Sequence, residues 1–266
     1  MHLHYKTYGT SGPWIMMVHG LYGSGDNWTS MARSLAPHYQ IVLPDLRNHG
    51  ASPHHHAHNY PELANDLLDT MNHLGIDSAH LLGHSMGGKA VMHLALKYPE
   101  KVKKLIVVDI APVSYTHWLD NKQIENRHDH LINILRAIPI SNCLTRQEIE
   151  KHAEEYIPNA MLRQFLLKNV KRNEDNTFAW KLNIEALYQN LTEIADGFTN
   201  LRATPFTNAC LFIRGERSLY IEDKDIDPTR KLFPNARFIT IPQAGHWLHA
   251  EKPELVLNAI NTFING

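Results

Sequence analysis

The 266-residue chain is 43% hydrophobic and 20% charged, with a formal net charge of −1. That balance is ordinary for a folded globular protein and excludes disordered and fibrous classes. It also leaves no basic footprint for nucleic acid or for an anionic membrane surface.

The length suits one large α/β domain, or a domain carrying an insertion. Two cysteines, Cys143 and Cys210, make no disulfide framework, and Cys210 reads as a small buried hydrophobe in the run CLFI. No stretch approaches the roughly 20 apolar residues of a membrane span. The opening MHLHYKTYGTSG carries no continuous apolar run, so no secretory signal is expected and a cytoplasmic location is.

In chain order, short apolar runs alternate with helical patterns. IMMV (15–18) precedes a helix near 27–36, and IVL (41–43) precedes one near 61–74. AHLLG (79–83) leads into a helix at 86–98, and LIVVD (105–109) follows. Such alternation predicts a mostly parallel sheet with helices on both faces.

After Pro112 the rhythm breaks. Residues 113–198 give helical signals and no convincing strand. Thr145 and Glu148 form a predicted capping box, and Asn159 a predicted cap for a helix whose face carries Leu162, Phe165, Leu166 and Asn169. Strand–helix order then returns with CLFIRG (210–215), a helix near 223–233, ARFITI (236–241) and a last helix near 253–264. The expected organisation is an α/β core of 1–112 plus 199–266 with a helical cap at 113–198. An insertion leaving the C-terminal edge of a parallel sheet lies over the crevice where such folds bind ligands.

The stretch GHSMGGKA (83–90) carries two overlapping motifs. Gly83 to Lys89 fits G-x-x-x-x-G-K, and LIVVD looks like a Walker-B strand. Ala90, however, stands where a P-loop needs a Mg²⁺-binding hydroxyl. The other motif is G-x-S-x-G, which exposes a serine in a strained strand-to-helix turn flanked by small residues, here Gly83 and Gly87.

A nucleophilic serine needs a base, and His246 in GHW (245–247) follows the last predicted strand. It also needs amide donors for an oxyanion. The Leu21 and Met86 N–H groups are the expected pair, with His19 more simply a loop brace.

On these residues the chain resembles the α/β-hydrolase superfamily, and within it the YbfF-type bacterial esterases and their eukaryotic abhydrolase relatives. The resembling segments are HGLYGSGDNW (19–28), DLRNHGASP (45–53), GHSMGGKA (83–90), VVDIAPV (107–113) and QAGHWLHAEKP (243–253). The resemblance implies an α/β-hydrolase fold and carboxylesterase or thioesterase chemistry without metal or organic cofactor. It also makes Lys89 a usual neighbour of the nucleophile turn.

Many relatives carry the triad acid where this chain has Ser218. That leaves Glu216, Glu222, Asp223 and, at the end of an earlier strand, Asp109; the YbfF type points to Asp109. The expected catalytic set is therefore Ser85, His246 and Asp109, with Leu21 and Met86 as the oxyanion donors.

The expected function is a serine esterase acting on a small-molecule ester or thioester through an acyl-enzyme on Ser85. Trp118, Leu119, Phe165, Leu166 and Trp180 are candidates for an acyl pocket or for the cap's own core. The run of His54, His55, His56 and His58 has imidazoles that suit a transition metal, but successive residues rarely converge on one ion, so no metal is expected. An acyltransferase or lyase on the same fold, or a receptor that retains the triad, are the competing functions.

Overall fold

The computed structural model describes residues 1–120, 128–199 and 201–266. The strands are β1 (Tyr5–Tyr8), β2 (Trp14–Val18), β3 (Gln40–Pro44), β4 (Ala79–His84), β5 (Val102–Val108), β6 (Val170–Arg172), β7 (Phe178–Trp180), β8 (Cys210–Gly215) and β9 (Ala236–Ile241). The helices flanking the first five strands are α1 (Thr29–Leu35), α2 (Tyr60–His73) and α3 (Met86–Lys97). Between β5 and β8 lie α4 (His117–Asp120), α5 (His128–Ala137), α6 (Arg146–Tyr156), α7 (Ala160–Leu167), α8 (Ile184–Gln189) and α9 (Leu191–Ala195). The chain closes with α10 (Ile226–Leu232), α11 (Leu248–Glu251) and α12 (Pro253–Asn265).

Seven strands form one sheet in the order β1-β3-β2-β4-β5-β8-β9. Every pairing is parallel except β1 with β3. The central strands are apolar runs because both their faces are covered. Alternate residues of β2 go to opposite sides: Met16 and Val18 pack with α2 and α3, whereas Ile15 and Met17 pack with α1 and α12. Each such side chain contributes about 1.5–3 kcal/mol on burial.

Three strands were not expected. β1 is an edge strand with Lys6 and Thr7 exposed, so it lacks the apolar signature of its neighbours. β6 and β7 pair antiparallel as a three-residue hairpin within the segment read as purely helical. Three residues are too few for a period-2 pattern to register.

The capping box also differs in detail. Thr145 Oγ1 accepts from the Glu148 N–H at 3.2 Å, but the Glu148 carboxylate takes the Leu144 N–H at 2.8 Å, one residue before the cap. Asn159 caps α7 through the Leu162 N–H at 3.0 Å. Residues 121–127, inside the stretch read as helical, lie outside the described residues.

The intervening segment is tied to the core at both ends. Tyr115 N–H donates to the Ala195 carbonyl at 3.0 Å, joining its outgoing and returning limbs. Tyr60 Oη of α2 donates to the Ile194 carbonyl at 2.5 Å, and His93 Nε2 of α3 lies 2.7 Å from the Gly197 carbonyl.

Candidate active site

The turn between β4 and α3 is built around Ser85, whose φ of 52° is rare for a side-chain-bearing residue. Packing holds it there. A Cβ on Gly83 would sit 2.3 Å from the Gly87 carbonyl oxygen, and one on Gly87 would sit 2.4 Å from the His19 carbonyl oxygen. Both positions therefore require glycine, as the sequence motif implies. Ser85 is 6% exposed and faces a cavity at the C-terminal ends of the parallel strands.

Ser85 Oγ lies 3.0 Å from His246 Nε2, and His246 Nδ1 lies 2.8 Å from Asp109 Oδ2. His246 sits on the loop after β9, where its own carbonyl accepts a 2.9 Å hydrogen bond from the His84 ring. Asp109 follows β5 with a φ of 54° and is completely buried. Its N–H donates to the Ile213 carbonyl at 2.8 Å, and its Oδ1 accepts from the Gly215 N–H at 2.9 Å.

Ser218 Oγ donates to Asp109 Oδ2. Ser218, the position at which the resemblance implies an acid, thus hydrogen-bonds the carboxylate that follows β5. The other candidate carboxylates are engaged elsewhere. Glu216 accepts from the Gln243 N–H at 2.8 Å, Asp223 pairs with Arg214 at 2.7 Å, and Glu222 pairs with Lys224.

The arrangement orients the imidazole. A carboxylate at Nδ1 places the proton there and leaves Nε2 free to accept from the Ser85 hydroxyl. Burial pushes His246 down to about 3, so the ring rests neutral. Burial pushes Asp109 up to about 7, opposed by the hydrogen bonds from Ser218 and Gly215. A proton arriving on His246 would place a cation beside Asp109 and favour its carboxylate further.

Leu21 and Met86 both line the cavity beside Ser85. Among the described residues no protein acceptor takes the N–H of either. The turn carrying Leu21 is braced on two sides. Leu46 N–H donates to His19 Nε2 at 2.9 Å, and His19 Nδ1 meets the Gly20 carbonyl at 2.8 Å. Tyr22 N–H donates to His49 Nε2 at 3.2 Å. His19 is a brace, the simpler of its two readings.

The cavity measures about 340 Å³. Its wall is largely apolar, as small-molecule sites usually are. Trp118, Leu119 and Phe165 line it. Leu166 is buried within the core cluster, and Trp180 lies on the hairpin away from the cavity. The pocket candidates therefore divide three to two. Sequence reasoning missed Tyr22, Tyr115, His128 and Tyr220 in the wall, because no spacing rule links loops so distant in the chain.

Lys89 is buried and points away from any phosphate role. Its ammonium donates to the Val113 and Ala195 carbonyls at 2.8 Å each and to that of Asp196. Burial pushes Lys89 down to about 7. Three carbonyl acceptors pull the other way, since only the ammonium supplies three donors.

His55 and His56 keep their rings together, 4.2 Å between centroids, and the histidines of the run also meet other groups. His54 Nε2 meets the Lys181 carbonyl at 3.1 Å, His55 Nδ1 accepts from the Ala57 N–H at 3.1 Å, and His58 is buried against Asn48 and Met86. No helix among the described residues is long and apolar enough to cross a membrane.

The chain belongs to the α/β-hydrolase fold family, which it matches over residues 13–253. It is 38% identical over 251 residues to Esterase YbfF of Escherichia coli, covering 94% of this chain and 92% of that protein. It is 34% identical over 258 residues to the mouse sn-1-specific diacylglycerol lipase ABHD11, covering 95% of this chain and 81% of that protein. A solved structure of a marine microorganism esterase superposes with a TM-score of 0.93 at 42% identity, covering 98% of this chain and 99% of that one. By this kinship the chain is a hydrolase.

Proposed function

We propose that this α/β-hydrolase is a serine esterase that cleaves carboxylic esters or acyl thioesters through an acyl-enzyme on Ser85. One observation carries the proposal: the unbroken chain of contacts from Ser85 Oγ to His246 to Asp109, at 3.0 and 2.8 Å, opening on an apolar cavity.

In the proposed mechanism His246 Nε2 takes the Ser85 proton as Oγ attacks the acyl carbonyl carbon. The oxyanion is received by the Leu21 and Met86 amides. These donors are fixed before the reaction and need no reorganisation as charge develops. Asp109 holds the ring and stabilises the imidazolium. His246 then returns the proton to the leaving alcohol or thiol, and water, activated by the same ring, releases the acid.

Residues 113–198 act as a cap on a core of 1–112 and 199–266, and they shape the acyl site through Trp118, Leu119 and Phe165. The apolar wall favours an apolar acyl group. The mouse relative's name as a diacylglycerol lipase makes glycerol esters one class to try. No metal or organic cofactor enters this chemistry, and the enzyme works on small molecules in the cytoplasm.

Rapid mixing with a p-nitrophenyl ester tests the mechanism. A burst of p-nitrophenol stoichiometric with enzyme is expected, and Ser85→Ala should abolish it. A burst that survives in Ser85→Ala removes the acyl-enzyme. An elimination product or a transferred acyl group, in place of acid plus alcohol, would favour a lyase or an acyltransferase.

A further inference from the structure

Tyr220 has no part in the mechanism above, yet its ring lies face to face with that of His246. The centroids are 3.8 Å apart and the planes are inclined by 20°. Tyr220 is fastened at three points. Its N–H donates to Ser218 Oγ at 3.2 Å, its carbonyl accepts from the Tyr115 hydroxyl, and its own hydroxyl lies 3.2 Å from His128 Nε2. Trp118 packs against the same ring edge-on, with the centroids 4.6 Å apart. The same Ser218 hydroxyl donates to Asp109, so one loop fixes both the acid and the stacked ring.

We propose that Tyr220 is a positioning residue for His246: its π face holds the imidazole in the plane joining Ser85 to Asp109 and stabilises the imidazolium formed as Ser85 attacks. The inference rests on the proposed role of His246 as the base. A neutral imidazole gains little from an aromatic face, whereas a cation gains more, especially where water is excluded. The interaction therefore strengthens towards the transition state, which is the condition for lowering the barrier.

The other groups around the ring are accounted for. Asp109 from the end of β5 meets its Nδ1 edge, and Ser85 meets Nε2. His84 from β4 lies 4.7 Å away, and His249 of α11 and His128 of α5 act from farther off. Burial pushes all three of those histidines down, so they rest neutral. Arg214 acts on Asp109 at longer range. Of these groups only His128 touches Tyr220, and the Phe variant isolates the loss of that contact.

The test compares Tyr220→Leu with Tyr220→Phe in the full chain. It reads the acid limb of kcat/KM, kcat and KM separately, and the His246 imidazole titration by NMR in the free protein. Tyr220→Leu should move the His246 titration down by about 0.5–1 pH unit and lower kcat about 3- to 10-fold with KM little changed. Tyr220→Phe, which keeps the ring and loses only the contact to His128, should restore both. Should Tyr220→Leu fold poorly, Tyr220→Met gives the same comparison.

The sign separates positioning from simple loosening. Water admitted by a damaged site favours the imidazolium and would move the titration up. An upward or absent shift in the ringless variants, or a Phe variant that shifts as far as Leu, overturns the proposal. The NMR titration reads the stack whether or not Ser85 is the nucleophile. A failure of the acyl-enzyme mechanism shows separately, as a burst surviving in Ser85→Ala.

Discussion

The strand–turn–helix from Ala79 to Lys97 and the segment between β5 and β8 wall the same cavity by different means. In the first, every residue from Ala79 to Leu96 is buried, and the backbone of the turn is fixed by contacts that leave no room for a Cβ. In the second, Leu144, Tyr156 and Met161 stand exposed, while Leu131, Leu162 and Leu166 join the core cluster and polar side chains of the core clamp its two ends. Lys89, His93 and Tyr60 reach out from α2 and α3 to the carbonyls of residues 113 and 194–197. The contrast separates two duties. In the proposed mechanism the close-packed core sets the reacting atoms, and the clamped segment sets what reaches them.

That separation can be broken by substitution. The largest effect is expected within the core. Asp109→Asn should lower kcat about 10³- to 10⁴-fold, because the ring loses its tautomer and the support for its cation. Glu216→Gln and Asp223→Asn should stay near wild type, since their carboxylates are occupied elsewhere. Steady-state kinetics on one p-nitrophenyl ester checks all three, and near-normal turnover in Asp109→Asn would shift the acid to another residue.

A smaller and different effect is expected at the clamp. Lys89→Met leaves three carbonyls without their shared donor, at about 1–3 kcal/mol for each group left buried and unsatisfied. Protease cleavage should appear first within 113–198, and KM should rise about 10-fold while kcat changes less, the pattern of lost binding without lost chemistry. A fall in kcat with KM unchanged would mean that the clamp serves the reacting groups themselves.

Acid should weaken the core through its buried histidines. Burial pushes His58 down to about 3, His93 and His128 to about 4, and His49 well down. Above pH 6.5 these rings are neutral in both folded and unfolded chains and contribute no pH dependence. Below it the unfolded chain takes up protons that the folded one refuses. Stability should therefore be lost progressively as pH falls from 6.5 towards 4, each such histidine adding at most about 1.4 kcal/mol per pH unit. Thermal unfolding at pH 7.5, 6 and 5 tests this; a flat Tm would show the rings protonated within the fold.

The core was legible in the sequence because its constraints are local and repetitive. Strands such as β2 and β8 carry the apolar runs IMMV and CLFI, and the glycines around Ser85 mark a backbone with no room to spare. β1 was not legible, since a half-exposed edge strand needs no apolar pattern. The β6–β7 hairpin escaped because three-residue strands carry no period.

The site divided in the same way. Ser85, His246 and the Asp109 alternative each follow a predicted strand, and the sequence points to all three; the structure brings their side chains into contact. The parts of Tyr220, His84 and Ser218 were not legible, because they depend on which loops meet in space. Ser218 marked a departure from a familiar pattern, and only its contact with Asp109 gives the departure a physical reason.

The most direct test is to locate the covalent adduct of a fluorophosphonate on the intact protein by peptide mass mapping. The proposed mechanism predicts one phosphonyl group per chain, on Ser85, formed far more slowly in His246→Gln. An adduct on any other residue, or none on an enzyme that still turns over esters, would contradict it.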